Sequence, residues 1–153
     1  MKKIVYVSVL VLSTISSSYA QKISADKVPA VVSDAFKAKF PTASDIKWEM
    51  EDKAEYEVDF RLNNEKLSAN FDTNGKWLET EKKINVSQLP KVVSQTLAKE
   101  FAGYSLDEAE KIETADNGIN YEVKVKKGED IYEVNLSSKG EVLKKKVDKD
   151  EKD

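Results

Sequence analysis

The feature that most constrains this chain is an internal repeat. Val28-Pro29-Ala30-Val31-Val32-Ser33 is answered by Leu89-Pro90-Lys91-Val92-Val93-Ser94, and Phe40 by Phe101, at a spacing of 61. Farther on, Tyr56-Glu57-Val58 matches Tyr121-Glu122-Val123, and Asn70, Gly75 and Leu78 match Asn135, Gly140 and Leu143, at a spacing of 65. Matches that keep their order across two nearby offsets imply a tandem duplication, with one four-residue insertion near Gly103 to Glu110.

Each repeat opens with a helical pattern. Val28, Val31, Val32, Ala35, Phe36 and Phe40 make one apolar stripe, and Val92, Val93, Leu97 and Phe101 make the second. Asp26 and Ser87 stand three residues before Pro29 and Pro90, where an oxygen side chain can cap the first amides. The prolines then fall in the first turn, where a missing N–H costs nothing. After each helix the period drops to two. Ile46, Trp48 and Met50 alternate with charged residues, as do Tyr56, Val58, Phe60 and Leu62; Leu67, Ala69 and Phe71 follow, then Trp77, Leu78 and Thr80 beyond the Asp72-Thr73-Asn74-Gly75 turn. The second repeat continues in kind through Ile112, Ile119 to Val125, Tyr132 to Leu136, and Val142 to Val147. The expected fold is therefore α+β: two tandem repeats, 26–84 and 87–147, each one helix plus a four-stranded antiparallel meander. The helices pack on one face of the sheet or sheets, and the other face stays open to solvent. Whether the halves share one eight-stranded sheet does not follow from the pattern.

The ends of the chain read differently. Lys2-Lys3, the apolar run Ile4 to Leu12 and the small residues before Gln21 have the form of a secretory signal peptide, residues 1–20, cleaved after Ala20. The apolar run is too short to span a bilayer, so no membrane association is expected after cleavage. Cleavage takes the net charge from −3 to −5, which argues against nucleic acid. Residues 148–153 are all charged and read as a flexible tail, leaving 21–147 as the domain. The chain has no Cys and no His, which removes the usual zinc ligands, thiolate nucleophiles and imidazole bases. No catalytic, cofactor or metal residue is assigned.

On the helix openings, the Phe40-Pro41 close, the strand Tyr56-Glu57-Val58-Asp59-Phe60 and the run Phe71-Asp72-Thr73-Asn74-Gly75-Lys76-Trp77-Leu78, the chain resembles the PepSY-like, beta-lactamase-inhibitor-like family of exported bacterial proteins. The resemblance covers nearly the whole chain beyond residue 20. It implies a periplasmic or secreted binding module whose namesake uses the open face of such a sheet to hold and inhibit an enzyme. The second repeat departs from the pattern, with Ala102-Gly103 in place of the proline and Val142 in place of the tryptophan.

Parity assigns the open face. Glu57, Asp59 and Arg61 lie there, and Trp77 with Glu79 falls opposite to Leu78 and Thr80. The bland reading is a set of cross-strand charge pairs that keeps the sheet soluble. The functional reading is a partner-binding face made of Glu57, Asp59, Arg61, Trp77 and Glu79, with Trp77 either its anchor or, equally, packed across a twisted sheet edge or under a loop. The Asp72 to Gly75 run resembles the start of a calcium loop, but its Gly follows Asn74 directly and a tight turn explains it better. A paired-carboxylate glycosidase would need a deep cleft, which a charged open sheet does not supply. The function expected is non-enzymatic binding of a protein or peptide, such as inhibition of a secreted hydrolase or peptidase. The alternative is a periplasmic small-ligand or envelope-stress protein with its ligand between helix and sheet.

Overall fold

The computed structural model describes residues 21–148 apart from 53 and 117, and leaves the side chains of Glu51 and Asp52 undescribed. The expected signal peptide and residues 149–153 of the expected tail lie outside the described residues. Strand β1 (Gln21–Ile23) comes first, followed by α1 (Ala30–Lys39) and strands β2 (Ser44–Asp52), β3 (Glu55–Leu62), β4 (Glu65–Asp72) and β5 (Trp77–Ile84). Then come α2 (Lys91–Glu100), β6 (Ser105–Thr114), β7 (Gly118–Lys127), β8 (Asp130–Ser137) and β9 (Val142–Val147). All nine strands form one antiparallel sheet in sequence order, β1 to β9. The open question of one sheet or two is thereby answered, because β5 pairs with β6 from Glu79↔Thr114 to Ile84↔Ala109. The eight strands expected become nine, since β1 adds to the edge of β2 with Ile23 opposite Trp48. Three residues are too few for an alternating pattern to announce a strand.

Register places the two faces. Val58, Ala69, Thr80, Glu113 and Ile119 stand in line across β3 to β7 and share the helix side. There α1 buries Val32 and Phe36 against Trp48, Val58, Phe60 and Phe71, whereas α2 buries Val93 and Leu97 against Val123, Val125, Val134 and Leu136. Phe36 is the hub of the first core, with its ring edge-on to Trp48, Phe60 and Phe71 at centroid distances of 5.4, 5.2 and 6.2 Å. Side chains of this kind contribute roughly 1.5–3 kcal/mol each when fully buried.

Both helices start one turn later than the pattern suggests. Pro29 and Pro90 are the residues that precede the first helical turn, and neither helix takes a side-chain cap. Asp26 and Ser87, expected as caps, lie inside short 3-10 turns, Ala25–Lys27 and Val86–Gln88. The cap before α2 is Asn85: its Oδ1 accepts from the Ser87 amide at 2.9 Å, and Gln88 Oε1 accepts from the Asn85 amide at 2.8 Å. An extended residue before proline resists the helical conformation, so the chain needs this separate turn first.

Each helix is also gripped by a turn. Asp72 Oδ1 accepts from the amides of Asn74 and Lys76 at 2.8 and 2.9 Å, closing the turn that the sequence suggested. Its glycine, Gly75, adopts φ +78°, and a Cβ there would lie 2.6 Å from the carbonyl oxygen of Val31 on α1. In the second half Ser137 does the work of Asp72, accepting from Lys139 and Glu141 amides through Oγ, and Gly140 lies against Val92 and Thr96 of α2. Thr96 Oγ1 donates to the Gly140 carbonyl at 2.8 Å. At the far end, Asp148 is fixed in place: its amide donates to Ile131 and its carboxylate meets Lys124 at 2.8 Å.

Candidate functional site

The face away from the helices is a hollow. A cavity of about 690 Å³ on it is lined by side chains from every strand between β3 and β9, including Glu57, Asn70, Glu81, Ile112, Glu122, Asn135 and Lys144. In a flat sheet, strands six apart are separated by about 29 Å, so residues of all seven reach one cavity only if the sheet curls around this face. The same curl explains Ile112, which lies opposite Glu81 and Asn120 on the polar side and is nevertheless only 3% exposed. It belongs to neither helix-side core.

Curling brings carboxylates together in partial shelter from water. Glu81, on the central strand, is pushed up to about 8, first by burial and then by the charges of Glu110, Glu79, Glu122 and Glu57. Glu110, Glu122 and Glu133 are also raised, each chiefly by burial. Glu108 goes the other way because Lys83 donates to it at 2.9 Å. Asn70, 7% exposed, donates to Glu55 at 3.0 Å, and Ser68 Oγ donates to Glu81 Oε2 at 3.5 Å.

Of the residues assigned to the open face, Glu57, Asp59, Arg61 and Glu79 lie on it. Glu57 and Glu79 line the hollow. Asp59 and Arg61 line a neighbouring cavity of about 560 Å³ at the β2–β4 end of the same face. Arg61 is held at that rim, its Nε 3.3 Å from Asp45 and an Nη donating to the Asn64 carbonyl at 3.1 Å.

Trp77 is on the other side. A bulge between the pairs Asn70↔Glu79 and Phe71↔Trp77 inserts a residue into β5 and turns Trp77 onto the helix face, beside Phe71. Its indole N–H donates to the Glu79 carbonyl at 2.7 Å and to Thr80 Oγ1 at 2.9 Å. Lys39 of α1 lies 3.4 Å above the ring centroid. A second bulge, between Ser44 and Lys47, moves Ile46 the opposite way. Asp45 takes φ +54° there, and Ile46, expected in the core, is 44% exposed and lines the rim cavity. Ile46 is therefore an exposed apolar residue at this rim. Ile112 and Ile46 escape sequence reasoning because each looks like an ordinary core residue of an alternating strand.

Among the described residues no group of three or more acidic side chains is arranged to hold a metal ion, and no helix is long and apolar enough to cross a membrane. A family model described as "Putative beta-lactamase-inhibitor-like, PepSY-like" matches residues 15–65 and 54–144. Among solved structures, a BLIP-like protein of Bacteroides fragilis is 26% identical at TM-score 0.65, over 76% of this chain and 84% of that one. A "putative periplasmic" protein of Bacteroides eggerthii is 25% identical at TM-score 0.70, over 78% of this chain and 88% of its own. A DUF2874 family protein of Bacteroides uniformis, 22% identical at TM-score 0.70 over 78% of this chain and 88% of that one, shares the fold. A comparison with curated proteins gave no match.

Proposed function

The chain belongs to the PepSY-like, beta-lactamase-inhibitor-like family, and from that premise we propose that it is an exported, non-enzymatic module that holds a protein or peptide partner in the hollow face of its sheet. Inhibition of a secreted hydrolase or peptidase is the form of binding that the family's name suggests. The observation that carries the reading is the hollow itself, a cavity of about 690 Å³ in which seven strands present polar side chains around a buried Ile112. Clefts of about 300–1,000 Å³ with few, convergent polar groups are the usual shape of binding sites. The other face is filled, with Phe36 in contact with three aromatic rings under α1, so the alternative of a ligand lodged between helix and sheet has little to recommend it.

Export rests on the signal-like residues 1–20 and on the relative described as periplasmic. The domain is 21–147, and we read its two halves, 26–84 and 87–147, as copies of one helix and four strands. Asp72 and Ser137, like Gly75 and Gly140, stand 65 residues apart and do the same work in the two halves.

The test blocks the hollow without touching the cores. Ser68 lies directly opposite Glu81 and lines with it a cavity of about 310 Å³ that adjoins the hollow, and Ser68→Trp would fill the space beside Glu81. Affinity capture from envelope extract, with mass spectrometry of the retained protein, should lose its partner with Ser68→Trp and keep it with the helix-side variant Lys39→Ala. Equal capture by both would end the reading.

A further inference from the structure

The floor of the hollow is set by the middle of the sheet. Glu81 is on β5, the fifth of nine strands. Ser68 of β4 and Ile112 of β6 stand directly opposite it, Glu110 of β6 lies diagonally beyond Ile112, Glu57 of β3 and Glu122 of β7 lie one strand farther out, and Glu79 and Lys83 precede and follow it on its own face. A second cavity of about 310 Å³ adjoins the hollow here, lined by Asp59, Lys66, Ser68, Lys83 and Glu110 together with Glu57 and Glu81. Lys83 is committed to Glu108 at 2.9 Å. The larger cavity carries six glutamates to two lysines, Lys144 and Lys146, both on the last strand.

A sheet does not need this arrangement to fold, because carboxylates drawn together where water is scarce oppose folding. An opposite charge brought from outside would relieve them. Building on the binding role of this face, we propose that its occupant is a protein loop that presents lysine or arginine side chains to Glu81 and its neighbours. Charge complementarity selects this partner over an acidic one, which would meet the glutamates unrelieved. A long cationic side chain also reaches the floor while its loop rests on the rim. Seating the cation favours the ionised form of Glu81, whose carboxyl otherwise keeps its proton near neutral pH. Binding therefore releases a proton and tightens as the pH rises.

The probe is the peptide acetyl-Gly-Lys-Gly-Lys-Gly-amide, titrated calorimetrically into the full chain at pH 7 in two buffers of different ionisation enthalpy. The matching glutamate and all-glycine peptides and calcium chloride alone serve as comparisons. The lysine peptide binds, the other two peptides do not, and the buffer dependence reports close to one proton released per complex. Glu81→Gln, nearly the same in shape, removes the proton release and weakens binding by roughly tenfold, while circular dichroism confirms that the variant is folded. Three results overturn the proposal: a lysine peptide that binds no better than the glycine one, affinity unchanged in Glu81→Gln and Glu122→Gln, or calcium that saturates the site and displaces the peptide. Self-association through the same face, seen by sedimentation and abolished by Ser68→Trp, would also overturn it. If Ser68→Trp abolishes capture of the envelope partner and the glutamine variants do not, the face binds but its partner is not cationic; if neither affects capture, the binding role of the face itself falls.

Discussion

Glu81 is the residue whose chemistry departs most from its sequence context, and its consequence for stability has a definite sign. Folded, its carboxyl titrates at about 8 against an ordinary 4.5, so between those values the folded state holds a proton that the unfolded chain has lost. Stability therefore falls as the pH rises through this window. Glu81→Gln should flatten the profile, leaving stability unchanged near pH 4 and raising it at pH 8. The expected gain is about 2 kcal/mol after allowance for the solvent that reaches the face. Urea denaturation at the two pH values checks it. At Gly75 two effects combine, a φ of +78° and a Cβ position 2.6 Å from a helix carbonyl. Gly75→Ala should cost about 3 kcal/mol, and Gly118→Ala, at φ +84° with nothing within 4 Å of its Cβ, about 1 kcal/mol. Equal losses in thermal melts would mean that the turn does not press on α1 as described.

The elements show what was legible in the sequence and why the rest was not. β3 and β7 follow strict alternation, so Tyr56, Val58 and Phe60, and Tyr121, Val123 and Val125, point to the core as their pattern implies. β2 and β5 do not, because each carries a bulge, and one extra residue exchanges the two faces beyond it. A bulge leaves no mark on the alternation of residue types, so Ile46 reads as core and Trp77 as surface when the reverse holds. Nor does periodicity record curl, which is why the charged face reads as an open surface while its glutamates crowd a hollow. Trp77 tests the element scale. Trp77→Phe keeps a ring under Lys39 but loses both indole hydrogen bonds, and should cost about 1–2 kcal/mol. Trp77→Ala also removes the ring and should cost about 3 kcal/mol or more. If chemical denaturation finds both variants as stable as the parent, the indole is not part of the helix–sheet contact. Asn85→Ala removes the cap before α2 and should cost about 1 kcal/mol by the same measurement.

At the scale of the whole molecule, two cores share one sheet. The clusters under α1 and α2 have no buried residue in common, yet the β5–β6 ladder joins their strands by six consecutive pairs without a bulge. Damage to one half should therefore reach the other. Phe36→Ala is expected to cost about 3–5 kcal/mol, and far-ultraviolet dichroism and tyrosine emission, whose probes lie in both halves, should still melt together. Two separate transitions would show that the halves fold independently despite their common sheet.

Among the described residues the sheet ends rather than closes, leaving two borders at which another molecule could continue the ladder. At one border is β1 with Lys22, and at the other β9 with Lys144, Lys145 and Lys146. Copies that approach border to border bring cation against cation, whichever borders meet. Stacking into a longer ribbon is thus opposed by a repulsion that dissolved salt weakens. Ionic strength is therefore the variable expected to tune any association along these borders, where Val142, Leu143 and Val147 lie exposed on β9.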